Sequence, residues 1–243
     1  MVKRYKPNVR LPTSEKEWLA ARLQGIGASE ASAVIGRNPY MKNLDLWRIK
    51  TGRKAAEDIS NKDCVRYGHA AERPVRELFA LDYADSYDVY YSGAFDMVRS
   101  ADNPFLFATL DGRLIEKNTG RKGVLEIKTT DILSSMQKEK WSFVLDYNDI
   151  NRSIFKIPDN YYLQVLHQLI VTGFDFAVLF AKKKRVYNTE KGKPPIVTSE
   201  FHPYFIERSS VQTDIDYLLE QEIKFWTQYV LPDREPPLIL PDL

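Results

Sequence analysis

The amino-acid sequence predicts an α/β fold, because the spacing of its apolar residues changes from helical to alternating and back along the chain. Helical spacing dominates up to about residue 81, alternation dominates from 87 to 130, and helical spacing returns at 159–173. Later strands and a last helix complete the pattern, with no internal repeat and no long linker. With 243 residues, 44% of them hydrophobic, the chain can bury a substantial core, and we expect a single domain.

Helix-capping residues mark the first helices. Ser14 followed by Glu17 is typical of a capping box and predicts that a helix begins there. A second, short helix is predicted to start at Ser29 and to stop at Gly36, with Gly27 in the loop before it. The start of the chain is therefore expected to be helical.

Two more helices are predicted before the sheet. The apolar residues of 43–51 have helical spacing, and Gly52 is a suitable C-cap. A longer helical region covers 63–81, where Pro74 marks either a kink or the first turn of a new helix. Both segments carry one apolar face, so they are expected to pack against the core.

Alternating aromatic and β-branched residues predict the strands of the sheet. The predicted strands are 87–93, 94–100, 105–116, 123–130, 174–187 and 201–208. A helix capped by Asp159 and stopped by Gly173 separates the last two strands from the others, and a final helix covers 210–231. Residues 232–243 are proline-rich and are expected to lie extended on the surface, docked on the body or on a neighbouring subunit.

Composition excludes several classes of protein. The single cysteine, Cys64, rules out an internal disulfide, a four-cysteine zinc site and an iron–sulfur cluster, so any metal would be held by oxygen ligands or by the three histidines. A formal net charge of +2 is nearly balanced, so a nucleic acid would have to bind local basic patches. With no apolar run of membrane-spanning length and a basic, polar start, the chain is expected to be cytoplasmic.

A hairpin within 108–129 ("ATLDGRLIEKNTGRKGVLEIKT") carries the first candidate site. If its turn is centred between Asn118 and Thr119, Asp111 lies directly across from Glu126, with Cβ atoms about 4.5–5.5 Å apart. Lys128 shares the face of Glu126, because strand side chains alternate. We expect the other face of this strand to pack in the core and this face to be open for chemistry.

Two facing carboxylates repel each other unless one binds a proton or a cation lies between them. A site with only oxygen ligands favours Mg²⁺ or Mn²⁺. Beside such an ion, Lys128 could help to deprotonate a bound water or could hold a phosphate oxygen. These parts are typical of phosphodiester hydrolysis. The same residues also fit a plain surface ion pair of Glu126 with Lys128 and a simple bend at Asp111, so the hairpin alone does not decide the function.

Five motifs occur in the order seen in one nuclease family. They are "GIGASEASAVIGRNPYMKNLDLWRIKTGR" (25–53), "YGHAAERPVRELF" (67–79), "ATLDGRLIE" (108–116), "VLEIKTT" (124–130) and "YYLQVLHQLIVTG" (161–173). From about Arg22 to Gly173 the chain thus resembles the phage exonucleases of the lambda-exonuclease and YqaJ-type viral recombinase family, within the PD-(D/E)xK nucleases. The resemblance implies a restriction-endonuclease-like core, with a central mixed β-sheet flanked by helices.

The resemblance also implies a two-metal active site. The implied catalytic residues are Glu72, Asp111, Glu126, Lys128 and Gln164, and the implied metal ligands are Glu72, Asp111, Glu126 and the backbone carbonyl of Ile127. By residue chemistry alone, Glu72 also fits a surface glutamate paired with a neighbouring arginine. Each of these roles is a prediction for the positions that match the family motifs.

Three neighbouring positions are less clear from the resemblance. Many relatives carry a second glutamine two residues after the first, where this chain has Leu166, and Gln168 is expected to face solvent. His69 shares the helix face of Glu72, and we expect it to be structural because carboxylates hold the metals in this family.

Two further segments are candidates for DNA contacts. Arg22 and Ser29 match the positions that bind the 5′-terminal phosphate in relatives, and a serine at a helix start next to an arginine suits a phosphate. Without the family, both fit ordinary cap and surface roles. Residues 181–193 are the densest basic run and would follow the DNA backbone or form a solvated loop.

The resemblance therefore implies a Mg²⁺-dependent exonuclease that degrades one strand of duplex DNA in the 5′-to-3′ direction, in a bacterial cell or phage-infected host. It implies two Mg²⁺ ions, for which Mn²⁺ can substitute, a homotrimer, and a single-strand annealing protein as partner. Within the single nuclease domain we expect a helical 5′-end-binding part (1–60), a catalytic core (61–187) and a C-terminal strand, helix and tail (188–243). The alternatives are an endonuclease on the same core and a non-catalytic DNA-binding module.

Overall fold

The structure is a computed structural model, which describes residues 3–4, 12, 14–131, 141, 143–144, 154–187 and 192–240. The strands in these ranges are β1 (Lys3–Arg4), β2 (Ile26–Gly27), β3 (Tyr87–Tyr91), β4 (Met97–Arg99), β5 (Leu106–Thr109), β6 (Gly112–Glu116), β7 (Lys122–Asp131), β8 (Phe143–Val144), β9 (Ile154–Phe155), β10 (Phe176–Tyr187) and β11 (Ile196–Glu207). The α-helices are α1 (Glu15–Arg22), α2 (Ala31–Val34), α3 (Asn43–Lys50), α4 (Asp63–Asp82), α5 (Asp159–Thr172) and α6 (Gln212–Phe225).

A six-stranded mixed sheet forms the centre, in the order β1-β3-β6-β7-β10-β11. Strands β7 and β10 run parallel, whereas β6 and β11, on their outer sides, are antiparallel to them. Parallel neighbours need a crossover, and α5 lies between β7 and β10 along the chain. The predicted mixed sheet is confirmed, and a smaller sheet of order β2-β5-β4 accompanies it.

Helices cover both faces of β7. On one face, Val75 and Phe79 of α4 belong to a buried cluster with Leu125 and Ile127 of β7. On the other face, α5 packs over Val124 and over β10. The expectation that this second face is open was therefore wrong, because the apolar side of α5 occupies it. The even-numbered residues of β7, which carry the candidate chemistry, lie under a helix.

The start of the chain differs in detail from the prediction. Ser14 caps α1, with its hydroxyl oxygen accepting the Glu17 backbone N–H, as predicted. The second helix, however, begins as a 3₁₀ turn at Ala28–Glu30, and Ser29 is not its cap. Gly27 is the cap residue, and it lies in β2 instead of a loop, since Ile26–Gly27 pairs with β5. The Glu30 carboxylate accepts the Gly27 N–H at 2.8 Å and so replaces a serine cap.

The later helices follow the sequence signals closely. Helix α4 runs without interruption through Pro74, so that residue neither ends the helix nor starts a new one. Helix α5 ends at Gly173, whose φ of 66° is the left-handed conformation that glycine adopts readily. Its N-cap is Pro158, and Asp159 is the first helical residue, paired with Arg37 at 2.9 Å. None of the helices in the described part of the chain is both long and apolar enough to cross a bilayer.

The C-terminal part contains two further findings. The predicted strand 174–187 is confirmed as β10, so the first half of the basic run is a strand and not a solvated loop. Residues 188–191 lie outside the described residues. The tail docks on the body in an extended form, as predicted up to residue 240. Asn43 holds it with both ends of its side-chain amide, donating to the Pro237 carbonyl at 2.8 Å and accepting the Ile239 N–H at 3.0 Å.

Candidate active site

The predicted hairpin register is confirmed. Gly112 pairs with Leu125 and Ile115 with Lys122, and the same register continued by one residue places Asp111 opposite Glu126. The Asp111 carboxylate is fixed there, because its Oδ2 accepts the Ile127 backbone N–H at 2.7 Å. Asp111 immediately precedes β6, so it lies at the edge of the sheet where β7 continues beyond the first residue of β6.

Glu126 accepts contacts from more donor groups than Asp111 or Glu72 does. It is 2% exposed, yet it receives three donors. Gln164 donates to Oε1 at 2.6 Å, Gln168 donates to Oε2 at 2.5 Å, and the Lys128 ammonium lies 2.7 Å from Oε1. These charged and polar donors replace the water that the buried carboxylate has lost.

Helix α5 supplies both glutamines because positions four residues apart lie on one helix face. Gln164 therefore lies beside the candidate site, in contact with Glu126, and its catalytic role remains a prediction. The expectation that Gln168 faces solvent was wrong: its side chain is fully buried and contacts Glu126. The signal was present in the sequence, since Gln168 lies one helical turn after Gln164.

Lys128 lies on the same side of β7 as Glu126, as alternation predicts. Its ammonium group lies 5.1 Å from the centre of the Tyr161 ring, which gives it an aromatic neighbour besides Glu126. Burial lowers the pKa of Lys128, but the negative charges of Glu126 and Asp111 outweigh that effect and raise it overall. The lysine is therefore held as a cation against the carboxylate pair.

Glu72 approaches from α4, and its carboxylate pairs with Arg76 one turn later at 2.9 Å. The same Arg76 guanidinium donates to the backbone carbonyl of Asp111 at 2.6 Å and lies 3.5 Å from the Tyr91 ring centre. Arg76 thus ties the helix of Glu72 to the start of β6. The surface pairing considered for Glu72 is present, but its partner is buried and also contacts the candidate site.

The electrostatics of the cluster favour a cation. Burial, together with the nearby carboxylates of Glu126 and Glu72, raises the pKa of Asp111 well above its ordinary value. Three negative groups therefore act on one small region, and all the available ligand atoms are oxygens. This donor set fits a hard divalent ion such as Mg²⁺.

The carboxylates of the described residues do not form a preformed metal-binding site. Among the described residues, no three acidic, histidine or cysteine side chains form a group that could hold an ion as they stand. The reason is visible in the contacts: Glu126 is turned to amide and ammonium donors, and Glu72 is turned to Arg76. The ligand roles predicted for these residues and for the Ile127 carbonyl remain predictions. His69 is exposed.

Arg22 and Ser29 lie in contact, and the 5′-phosphate role that the resemblance implies for them remains a prediction. The Arg22 guanidinium donates to the Ser29 hydroxyl at 3.3 Å and pairs with Glu30 at 3.4 Å. Lys50 is buried beneath them and contacts Glu30 at 2.7 Å and the Arg22 carbonyl at 2.8 Å. Two cations thus surround one carboxylate, which leaves a positive excess. The helix start that was expected to favour a phosphate contributes little here, because α2 has only four residues.

A buried pair behind the site was not predicted. His167 and Glu222 are both fully buried, with His167 Nδ1 2.6 Å from Glu222 Oε1 and Nε2 2.9 Å from the Phe107 carbonyl oxygen. A carbonyl oxygen only accepts, so Nε2 donates to it, and the proton between Nδ1 and the carboxylate belongs to the pair. The available signal was a histidine in the run 163–171, whose other residues are apolar except for Gln164 and Gln168.

Comparison with known proteins gives a family and a fold. The sequence matches the family described as YqaJ-like viral recombinase domain over residues 17–175. It is also 29% identical over 230 residues to the uncharacterised protein YqaJ of Bacillus subtilis (strain 168). That match includes 93% of this chain and only 59% of the Bacillus protein, so the chain spans about three-fifths of that relative.

Among solved structures, the fold is similar to that of an alkaline exonuclease, LHK-Exo, from Laribacter hongkongensis. The TM-score is 0.53 at 17% identity, and the match covers 90% of this chain and 97% of that chain. LHK-Exo in complex with dAMP matches with a TM-score of 0.51 at 18% identity, with the same two coverages. The predicted restriction-endonuclease-like core is confirmed by this shared fold.

Proposed function

We propose that this chain, which belongs to the family of YqaJ-like viral recombinase domains, is a metal-dependent nuclease that degrades one strand of duplex DNA from its 5′ end. The observation that carries the proposal is the meeting of Asp111 and Glu126 across the hairpin, with Lys128 2.7 Å from the Glu126 carboxylate. Carboxylates and a lysine in this arrangement are suited to phosphodiester hydrolysis.

Asp111, Glu126, Glu72 and the Ile127 carbonyl are the groups that would hold the metal. Two Mg²⁺ ions are proposed, with Mn²⁺ as a substitute, because oxygen ligands favour hard cations. When bound, the ions would supply Lewis-acid stabilisation of the charge that develops on the phosphoryl group. They would also relieve the repulsion from Glu126 and Glu72 that, in addition to burial, raises the pKa of Asp111.

The protein's own groups supply orientation and a positive charge. Gln164 and Gln168 hold the two oxygens of Glu126 in place, so the carboxylate does not have to reorganise during the reaction. Lys128 carries a positive charge beside the carboxylate pair and is placed to bind a non-bridging phosphate oxygen. Arg76 fixes the position of Asp111 through its backbone carbonyl.

The proposed 5′-end pocket is formed by Arg22 and Ser29. The Arg22 side chain is 24% exposed, so its guanidinium can still reach a ligand. Glu30 and Lys50 hold the arginine from below, and the pair of cations around one carboxylate favours an anion. A terminal phosphate would bind here by charge-assisted hydrogen bonds from Arg22 and from the Ser29 hydroxyl.

The relatives support an exonuclease over other DNA enzymes. LHK-Exo is described as an alkaline exonuclease, and one of its structures holds dAMP, a mononucleotide. We extend exonuclease activity with mononucleotide release to this chain as part of the proposal. A homotrimer and a single-strand annealing partner that uses the 3′ overhang are proposed from the family resemblance.

The proposal is tested by digesting a linear duplex labelled at either 5′ or 3′ end, alongside a covalently closed circle, with Mg²⁺ or with chelator. We expect rapid release of 5′-terminal label as mononucleotide with Mg²⁺, delayed release of 3′ label, and an intact circle. Cleavage of the circle would instead identify an endonuclease on this core. DNA binding without hydrolysis under all conditions would identify a non-catalytic module.

A further inference from the structure

We infer that a surface beside the catalytic strand binds single-stranded nucleic acid. This Tyr67 surface consists of Tyr67 on α4, Lys182 and Lys184 on β10, and Phe201 on β11. It lies on the α4 side of the sheet, opposite the side that carries Lys128. The inference rests on the proposed function for the choice of nucleic acid as the ligand.

The two lysines give the surface its charge. Residues two apart on a strand point to the same side, and both ammonium groups lie 5.0 Å from the centre of the Tyr67 ring. Lys182 donates to the Tyr67 hydroxyl, whereas Lys184 pairs with the Asp131 carboxylate at 3.5 Å. Two cations beside one carboxylate leave a local positive excess, which is complementary to a phosphate backbone.

Two exposed aromatic rings flank the lysines. Tyr67 is 39% exposed and Phe201 is 36% exposed, which is unusual for rings this close to a core. Phe201 lies opposite Lys182 in the β10–β11 register, and its inner face stacks on Phe180 with ring centres 5.7 Å apart. Exposed rings next to cations are the pattern that binds single strands, since bases in a duplex are already stacked on each other.

The surface borders β7, the strand that carries the proposed active site, but on the opposite side of the sheet. Gly68, next to Tyr67, faces Thr129, so that an added Cβ would lie 3.5 Å from the Thr129 hydroxyl. Thr129 directly follows Lys128, and it is paired in register with Lys182. A strand freed by digestion of its complement would therefore reach this surface by passing from the Lys128 side of β7 to its α4 side.

Binding measured without hydrolysis tests the inference. The probes are a fluorescent oligothymidylate of about 20 nucleotides and a blunt duplex of the same length, titrated with the full chain in chelator. Tyr67→Ala should weaken binding of the oligothymidylate about tenfold, and Tyr67→Phe should keep most of it, because stacking uses the ring. Lys182→Ala with Lys184→Ala should lower the salt dependence of log Kd by about 1.4, or about 0.7 per phosphate lost.

Exposed residues of α6 provide matched controls. Tyr217→Ala and Lys224→Ala should leave both affinities unchanged, and circular dichroism should show that all variants are folded. Unchanged oligothymidylate binding in the Tyr67 and lysine variants would overturn the inference. An equal loss for the blunt duplex would also overturn it, because the surface would then contact duplex backbone. Since chelator prevents hydrolysis, failure of the nuclease proposal would leave this result unaffected.

Discussion

At the scale of single residues, the contacts of the site converge on Glu126. The hydrogen bond from Gln168 comes from the most buried of its three donors, and its loss would leave one carboxylate oxygen without a partner. A hydrogen bond to a charged group is typically worth about 1.5–3 kcal/mol. Gln168 is thus a positioning residue, which acts on the reaction through Glu126.

We predict that Gln168→Leu lowers kcat about tenfold or more, raises the Mg²⁺ concentration needed for half-maximal rate, and leaves the KM for DNA nearly unchanged. The leucine preserves volume in the buried site while removing the donor. The exposed Gln228→Leu provides the control. A variant with normal kcat and a normal Mg²⁺ requirement would show that Gln168 only fills space.

A second residue-scale prediction concerns Arg22. Arg22→Ala should abolish any preference for a 5′-phosphorylated end over a 5′-hydroxyl end, because only the phosphate gains the guanidinium contact. The hydroxyl-ended duplex should be digested at nearly the wild-type rate. Paired duplexes that differ only at the 5′ end, digested at equal salt, provide the measurement. Equal rates on both ends with the wild-type enzyme would contradict the pocket.

Some of these residues could be predicted from the sequence, and others could not. Asp111, Glu126 and Lys128 follow from strand alternation and a turn position, which are local rules. Arg76 could not be assigned in the same way, since its contact with Asp111 depends on how α4 crosses the sheet. The wrong expectation that Gln168 faces solvent was based on the positions of the two glutamines in relatives. The four-residue spacing from Gln164 instead places Gln168 on the same face of the helix.

At the scale of elements, the His167–Glu222 pair joins α5 to α6. Burial lowers the pKa of His167, but the Glu222 carboxylate and the Phe107 carbonyl act in the opposite direction and raise it overall. The folded state therefore holds the proton to higher pH than the unfolded state does. The stability from this proton is fully present below the unfolded pKa of about 6.5, and it is lost as pH rises through the raised folded value.

We predict that the double variant His167→Leu with Glu222→Leu removes this pH dependence. The difference in free energy of unfolding between wild type and double variant should become less favourable to wild type as pH rises above about 6.5. Urea denaturation at a series of pH values provides the measurement. The single variant His167→Leu, which leaves Glu222 unpaired, should cost about 3–5 kcal/mol at neutral pH. A difference that is constant with pH would contradict the assignment.

Element types were largely predictable, while their ends and special turns were not. The run of 159–173 was correctly predicted as a helix because it is long and periodic and ends in glycine. The 3₁₀ turn at Ala28–Glu30 was missed because three residues are too few to show a period, and because the cap comes from Glu30 instead of Ser29. The strand predicted at 174–187 was confirmed, lysines included, because pairing with β7 and β11 on both sides stabilises it.

At the scale of the whole molecule, the tail closes over the N-terminal part of the chain. Gly36 has a φ of 74°, and a Cβ there would lie 2.4 Å from the Ile239 side chain, so the tail fits only over glycine. Leu238 and Leu240 remain exposed beside it. The overall architecture was predictable because the motif order identified the family, but this long-range docking depends on contacts that no local pattern records.

The homotrimer proposed from the resemblance belongs to this scale. Sedimentation equilibrium should give three times the protomer mass of 28.2 kDa, and the trimer should persist at assay concentrations. A closed ring would retain the enzyme on DNA and make digestion processive. A monomer that digests long duplexes processively would contradict that explanation.

The central claim is that Asp111 and Glu126 together support metal-dependent hydrolysis, and one measurement tests it most directly. The rate of mononucleotide release from a 5′-labelled linear duplex in Mg²⁺ is compared for wild type, Asp111→Asn and Glu126→Gln, each verified as folded by its thermal transition. We expect wild type to digest the duplex and each variant to lose activity by at least about a thousandfold, because removal of either charge weakens ion binding. Near-native turnover by either folded variant would contradict the claim.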